Sequence, residues 1–274
     1  MLGLFASPAA GGEKMLTLVY TANSFGKYNP CQTCTHGMLG GLGRRASYFM
    51  QMRKADDRAV FISGPFEFRP LPGVKQRDAV ADKGIAPALA EAYSLLHYDL
   101  MVTTASESQW LGGSGAKAPA GLLQLGDKPS VVMLSRAGLR IGVVLFPESD
   151  APESQYAGVA EAVRTVRPQA DMVLGVSSWG ERAENKFLDS GGAGLDMLLG
   201  SGSGMGYGCH SMNQGKTLWL RPVFDAWGTL QVDVLAKPSP GEGWTDGREY
   251  TSSIRWMDET LPLDPKVSAI FSWF

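Results

Sequence analysis

Short apolar runs alternate with amphipathic segments along most of the chain. The runs LTLVYT, AVFIS, LMVT and DMVLGVSS are nearly continuous in Val, Ile, Leu and Thr, as strands buried on both faces are. Between two of them, IAPALAEAYSLLHYD places Leu89, Ala92 and Leu96 on one face of a predicted helix. Strands that alternate with helices predict a mostly parallel central sheet with helices on both faces.

The pattern changes in the last quarter of the chain. The segments KTLWLRPV, GTLQVDVLA and EYTSSIRWM alternate apolar with polar residues, which is typical of antiparallel strands with one solvated face. We therefore predict an α/β fold that is mostly parallel, with antiparallel strands toward the C-terminus. The predicted domain spans 15–238, and 239–274 is predicted to be a C-terminal strand and tail packed on it.

The first 14 residues, MLGLFASPAAGGEK, are excluded from the predicted fold. They contain a short apolar stretch and small residues, but they lack a basic start and the length of a full signal peptide. We expect either the remnant of a signal sequence or a disordered tail.

Composition and charge narrow the range of partners. The chain has 274 residues, of which 44% are hydrophobic, and its formal net charge is -2. This length is sufficient for one large domain. Basic residues are scattered rather than clustered, so we expect no binding of nucleic acid. No apolar run approaches the roughly 20 residues that a membrane-spanning helix needs, so we expect no transmembrane segment.

Most cysteines and histidines fall in two short Gly-flanked segments that we expect to be loops. The segment PCQTCTHG carries Cys31, Cys34 and His36, and GYGCHS carries Cys209 and His210. Since the chain has three cysteines, a framework made only of disulfides is not expected.

These five residues form the main candidate site. The CxxC spacing of Cys31 and Cys34 allows both sulfurs to reach one metal ion or each other. With Cys209 and either His36 or His210, they complete a Cys₃His set of the kind that holds structural zinc or, more rarely, iron. We predict one zinc or iron here. The alternatives are a redox pair of Cys31 and Cys34, a structural disulfide or free thiols.

A basic pair, Arg44 and Arg45, begins a predicted helix. Basic residues at a helix start oppose the helix dipole, which suggests a bound anion. We nevertheless expect a solvated pair, with a bound anion as the alternative.

Short motifs at the predicted strand ends follow a recognisable order. TANSFG and GGLGR stand where TNDxHG and GGLAR stand in the metallophosphoesterase domain of the 5′-nucleotidase/UDP-sugar hydrolase family. That family's later motifs are AGD, GNHE, SHxG and GGHSH. At the corresponding positions this chain has SGP, ASES, SSWG and SGSG, respectively. The chain resembles this calcineurin-like family over about residues 16–235, which implies a layered α/β sandwich.

The resemblance also implies where a dinuclear metal centre would lie. That family holds two cations about 3.5–4 Å apart with Asp, His and Asn side chains. The residues at its ligand positions here are Asn23, Phe25, Pro65, Ser106, Glu107, Ser178, Gly202 and Gly204. Only Asn23 and Glu107 remain as oxygen donors, so we predict that the dinuclear centre is absent.

A narrower resemblance concerns the cysteines. PCQTC followed by GGLGRR is similar to a cysteine-bearing branch of the same family, with PCxC or PCxxC before GGLxRR and sometimes selenocysteine. That branch implies export, so we expect a periplasmic or otherwise exported protein, with a cytoplasmic location as the alternative.

Together these features predict a catalytically degenerate phosphoesterase-fold protein. It would bind a protein or small-molecule partner that the sequence does not identify, and it would carry the Cys/His site as a metal or thiol-redox centre. One alternative is a thiol-redox enzyme that uses Cys31 and Cys34, with Cys209 as a third thiol. The other is a residual phosphoesterase that uses Asn23, Glu107 and an atypical metal.

Overall fold

A computed structural model describes residues 14–31, 37–69, 84–204 and 207–274. Within these ranges the chain forms twelve strands and six α-helices. The strands are β1 (Leu16–Thr21), β2 (Ala59–Ser63), β3 (Leu100–Thr103), β4 (Leu122–Gln124), β5 (Ser130–Arg136), β6 (Leu139–Leu145), β7 (Met172–Ser177), β8 (Met197–Gly200), β9 (Gly208–Met212), β10 (Thr217–Arg221), β11 (Gly228–Val234) and β12 (Tyr250–Trp256). The helices are α1 (Leu42–Ala55), α2 (Ile85–Leu96), α3 (Ala105–Gly113), α4 (Tyr156–Val166), α5 (Glu181–Asp189) and α6 (Pro265–Ile270).

The strands form two six-stranded sheets. The first has the order β12-β11-β1-β2-β3-β4 and the second β5-β6-β7-β8-β10-β9. Pairs at the centre are parallel, such as β1 with β2 and β7 with β8, whereas β11 with β12 and β9 with β10 are antiparallel. The predicted α/β class and layered sandwich, with antiparallel strands toward the C-terminus, are confirmed.

The two sheets pack against each other and each carries helices on its outer face. Leu18 and Tyr20 of β1 lie in the core between the sheets, together with Val143 of β6. Val19 of β1 instead packs beneath α1 and α2, in a second apolar cluster that includes Phe49. Each sheet therefore has helices on one face only, unlike the single central sheet that the alternation suggested. An apolar strand indicates burial on both faces but does not show what covers them.

The C-terminal segment is part of this architecture. β12 pairs with β11 along its whole length, and α6 packs on α1, where the backbone N–H of Asp264 donates to the carbonyl of Gly43 at 3.0 Å. Asp264 also caps α6 by accepting from the backbone N–H groups of Lys266 and Val267. No helix in the described part of the chain is long and apolar enough to span a membrane.

Candidate functional site

The loops after the parallel strands meet at one edge of the sandwich, which we call the rim. It comprises residues 22–31, 64–69, 104–107, 178–180 and 201–204. The hydroxyl of Tyr20, at the end of β1, donates to the carbonyl of Gly200, at the end of β8, at 3.0 Å. The carboxyl ends of strands from both sheets therefore face each other, and in open α/β sheets this edge is where ligands bind.

Asn23 joins the two sheets at the centre of the rim. The backbone N–H of Gly202 donates to Asn23 Oδ1 at 3.0 Å, and Asn23 Nδ2 donates to the carbonyl of Gly202 at 3.3 Å. Asn23 is only 5% exposed. Both polar atoms of its side chain are thus bonded to the chain's own backbone.

The segment opposite Asn23 has no room for side chains at two family positions. A Cβ atom added to Gly202 would lie 2.7 Å from the carbonyl oxygen of Ser178, and Gly202 has a φ of 85°. A Cβ added to Gly204 would lie 2.4 Å from the Cβ of Glu181. Histidines could not enter these positions unless the segment moved.

Arg221 supports this segment from below. Its guanidinium donates to the carbonyls of Ser201 at 3.0 Å, Gly202 at 3.1 Å and Ser203 at 3.0 Å. It also pairs with the carboxylate of Glu184 at 2.9 Å. With the carbonyl of Gly204 at 3.4 Å, this buried arginine has a carboxylate and four carbonyl acceptors, and it holds its loop in one shape.

Glu184 is the buried partner of Arg221. Besides the ion pair, its carboxylate accepts from the indole N–H of Trp219 at 3.0 Å and from the backbone N–H of Ser201 at 3.1 Å. Burial raises the pKa of Glu184, and the nearby Arg221 opposes that rise.

A second buried ion pair lies under the other half of the rim. Arg45 and Glu67 are 0% and 1% exposed, and Arg45 Nη1 lies 3.2 Å from Glu67 Oε2. Arg45 Nη2 donates to Ser24 Oγ at 2.9 Å, and the Tyr93 hydroxyl donates to Glu67 at 2.6 Å. The anion that Arg45 binds in the structure is therefore Glu67 rather than an external ligand.

Arg44 stabilises the neighbouring backbone. It is 5% exposed, and its Nη1 donates to the carbonyls of Met38 at 2.7 Å and of Gly40 and Met257 at 3.4 Å. The interpretation of Arg44 and Arg45 as a solvated pair is wrong, because both guanidiniums are buried.

Glu107 connects the start of α3 to the loop after β2. It forms a capping box with Thr104 and accepts from the backbone N–H groups of Phe66 and Phe68, each at 2.9 Å. Burial raises the pKa of Glu107 to about 7, although these backbone donors act in the opposite direction. Its oxygens are occupied by donors from the protein itself.

The other family positions contribute mainly through their backbone. Phe25 N–H donates to the carbonyl of Phe66 at 2.8 Å, and Asn23 N–H donates to the carbonyl of Pro65 at 3.2 Å. The hydroxyl of Ser106 lies 3.2 Å from that of Thr104. Across the described residues, no three His, Cys, Asp or Glu side chains group as metal ligands would. Asn23 and Glu107, the two predicted oxygen donors, are bonded within the chain, and Phe25, Pro65, Gly202 and Gly204 have no side-chain ligand, so these positions do not fit a dinuclear centre.

The structure corrects the setting of Cys209 and His210. Both lie in strand β9, where Cys209 pairs with Leu220 and His210 with Trp219, and not in a loop. Cys209 packs on the core between the sheets, whereas His210 is exposed, with its ring 5.8 Å from that of Trp219. Successive strand residues point to opposite faces, so these two side chains do not converge on one ion.

The environment of Cys209 also suppresses its reactivity. Burial, together with the negative charge of Asp246, raises the pKa of the thiol to about 12, and a hydrogen bond with Ser252 only partly offsets this. A thiol with so high a pKa carries little thiolate and is a weak nucleophile.

Cys31 lies at the rim. Its backbone N–H donates to the carbonyl of Leu39 at 2.7 Å, and the backbone N–H of Gly40, next to Leu39, donates to the carbonyl of Met257 at 2.8 Å. Cys34 and His36 lie outside the described residues, so the Cys/His metal set remains a prediction that depends on them.

The sequence analysis did not identify Glu67, Glu184 and Arg221 as important. One available indication was an arginine inside the apolar run LWLRPV, because a buried guanidinium requires a carboxylate partner. Nothing comparable pointed to Glu184, which lies 37 residues earlier in the chain.

Comparisons with known proteins were informative only at the level of structure. No protein-family model matches the chain, and no curated protein sequence does. Among solved structures, it is similar to a 5′-nucleotidase precursor from Thermus thermophilus, with a TM-score of 0.65 and 15% identity over 93% of this chain and 57% of that one. It is similar to the sulfate thiohydrolase SoxB from the same organism, with a TM-score of 0.66 and 13% identity over 97% of this chain and 60% of that one.

A third structure, the calcineurin-like phosphoesterase YfkN from Bacillus subtilis, has a TM-score of 0.58 and 12% identity over 93% of this chain and 95% of that one. The chain therefore spans somewhat more than half of the first two structures and nearly all of the third. At such identities the likeness shows the fold alone. The chain has the α/β sandwich fold of the 5′-nucleotidases and calcineurin-like phosphoesterases.

Proposed function

We propose that this chain is a catalytically degenerate phosphoesterase-fold protein whose rim binds a partner instead of carrying out two-metal hydrolysis. The observation that carries the proposal is the reciprocal bonding of Asn23 and Gly202. Two-metal hydrolysis requires side-chain donors that hold two cations about 3.5–4 Å apart. Here the Asn23 side chain, the amide that remains at a ligand position, instead hydrogen-bonds to Gly202 and joins the two sheets.

Recruiting Asn23 to a cation would disrupt the rim. If Oδ1 turned toward a metal, the N–H of Gly202 would lose its acceptor, at a cost of about 1–3 kcal/mol for a buried unsatisfied donor. Gly202 and Gly204 offer no side chain in return, and Arg221 and Glu184 hold their backbone in place. A metal at Asn23 would therefore have to offset this loss.

The chemistry of the protein is then assigned to the loop that contains Cys31 and Cys34. This loop follows β1 and precedes α1 in the chain. We propose that it binds one zinc or iron, or forms a redox disulfide, in an exported protein that assists a protein or small-molecule partner. Solved neighbours with this fold include a 5′-nucleotidase and a sulfate thiohydrolase, so the fold alone does not decide between functions.

The burial of Cys209 favours a site that does not include it. A thiol-redox enzyme with Cys209 as a third thiol would need that thiol to be accessible and of low pKa. Since burial raises its pKa to about 12, the redox alternative is better supported with Cys31 and Cys34 alone.

The test is elemental analysis of protein purified without oxygen and without added metal. We expect about one zinc or iron per chain, lost in Cys34→Ser and retained in Cys209→Ser, which serves as the matched control. Absence of metal together with a Cys31–Cys34 disulfide would instead support the redox form. Loss of metal in both variants would show that the site includes Cys209.

The residual phosphoesterase alternative has its own assay. Hydrolysis of a nucleotide or aryl phosphate with added Mn²⁺ that disappears in Asn23→Ala would support it and overturn the proposal. We expect no such turnover in the unaltered protein.

A further inference from the structure

Strand β5 forms an open edge of the second sheet. It runs for seven residues, SVVMLSR, and pairs in unbroken antiparallel register with β6 from Ser130 opposite Leu145 to Arg136 opposite Leu139. No described residue pairs with its other side, because β5 ends the strand order of its sheet. A row of backbone donors and acceptors on β5 is therefore available to another strand.

The usual protections of such an edge are missing from β5. The strand has no proline, lysine or acidic residue, and its register with β6 contains no bulge. By contrast, β4 at the corresponding edge of the first sheet is only three residues long. Proteins normally shorten, charge or bulge an edge strand that must remain unpaired.

The outward face of β5 is apolar. Val131 and Met133 are 41% and 44% exposed, while the alternate residues Val132 and Leu134 pack on the core between the sheets. Arg136, the only charged residue of the strand, pairs with Asp99 of the same chain. The edge therefore offers both backbone hydrogen bonds and apolar side chains, without an unpaired charge.

The sequence of β5 is self-complementary when it is reversed about Met133. In an antiparallel pair centred there, Met133 faces Met133 of a second copy, Val132 faces Leu134, and Val131 faces Ser135. No like charges oppose each other, and apolar residues meet on both faces. A two-fold contact requires this kind of self-matching patch.

We propose that two copies of this chain associate through β5, paired antiparallel about a two-fold axis at Met133, so that their second sheets form one continuous sheet. This contact is independent of the rim and of the function proposed for it. It would bring the Met133 side chains of the two copies into cross-strand contact on the outward face.

The test is sedimentation equilibrium of the full chain over a range of concentrations, with Met133→Asp and Met133→Lys measured alone and mixed. The unaltered chain should show twice the chain mass. Each variant alone should raise the dimer dissociation constant about 100-fold or more, because identical charges face each other across the axis. The equimolar mixture should restore the dimer, because Asp then faces Lys.

Met50→Asp is the matched control, because Met50 is 47% exposed, on α1 rather than on β5. It should leave the dimer unchanged. The proposal is overturned if the unaltered chain is a monomer up to its solubility limit, or if the Met133 variants dimerise as it does. It is also overturned if each variant is a folded monomer by circular dichroism but the mixture stays monomeric.

Discussion

Arg221 and Glu184 form an ion pair at 2.9 Å beneath the segment 201–204, and their side chains are 2% and 0% exposed. The same guanidinium donates to the carbonyls of Ser201 and Ser203. The pair therefore sets the backbone of the rim segment that faces Asn23. The buried side chains of Arg221, Arg45 and Glu107 all stabilise loops of the rim.

Replacing Arg221 should be strongly destabilising. Arg221→Met leaves the Glu184 carboxylate buried without its cation, and we expect a loss of about 3–5 kcal/mol in the free energy of unfolding, measured by urea denaturation. Arg140→Met is the control, since the pair of Arg140 with Asp171 is exposed and should contribute much less to stability. Similar losses in the two variants would contradict the assigned role.

Adding one methyl group to the rim segment should also destabilise the fold. Gly202→Ala places a Cβ 2.7 Å from the Ser178 carbonyl at a positive φ, and we expect a loss of about 2 kcal/mol or more. Gly112→Ala, in α3 with open space around the added atom, should instead stabilise by about 0.5–1 kcal/mol. In thermal unfolding, the melting temperature should fall for Gly202→Ala and rise for Gly112→Ala. Equal shifts in the two variants would count against a closed rim.

Glu107 should make the protein less stable as the pH rises from about 5 to 7. Its pKa in the fold is raised from 4.5 to about 7, so the folded state holds a proton that the unfolded state releases over this range. The stabilising contribution is complete below pH 4.5 and is lost as the pH passes 7, which amounts to about 3 kcal/mol. Urea denaturation across this range should show the decrease.

The comparison with Glu107→Gln isolates that contribution. The variant has no titrating group at this position, so its stability should vary less between pH 5 and 7 than that of the unaltered protein. Glu153→Gln, which changes an exposed carboxylate, should keep the full decrease. If the Glu107 variant kept it too, the pH dependence would come from another group.

Cys209 should resist alkylation in the folded protein. Its raised pKa of about 12 leaves roughly a thousandfold less thiolate at pH 8 than an ordinary cysteine has. Iodoacetamide labelling followed by peptide mass spectrometry should modify Cys209 rapidly only after unfolding in urea. Equal labelling of Cys209 in the folded and unfolded protein would show that the thiol is accessible.

Much of the fold was predictable from the sequence. Continuous apolar runs such as LTLVYT identified the buried strands, and the order of motifs from TANSFG to SGSG led to the correct sandwich. The pattern of apolar residues does not distinguish two facing sheets from one central sheet. Leu18 and Val19 are equally apolar, although a strand covers one and a helix the other. Strand β9 was predicted as a loop because Gly208 and the polar residues around Cys209 have low strand propensity, and pairing with β10 overrides that preference.

The site was less predictable. The sequence predicted Asn23 as a remaining oxygen donor at a ligand position, but its partner Gly202 lies 179 residues away and could not be predicted. Likewise, Arg45 looked like an anion site, and only the folded chain brings Glu67 to it. Spacing in the sequence indicates which side chains share a loop. Long-range contacts determine which of those side chains are already bonded within the protein and which can bind a ligand.

The central claim is that the rim is closed by its own hydrogen bonds and holds no pair of catalytic metals. The most direct measurement is a titration of the purified chain with Mn²⁺, in which bound metal is counted by equilibrium dialysis and aryl-phosphate hydrolysis is followed in parallel. The account predicts no Mn²⁺-dependent turnover and no change in Mn²⁺ binding in Asn23→Ala. Two bound Mn²⁺ ions per chain together with hydrolysis, both lost in Asn23→Ala, would contradict it.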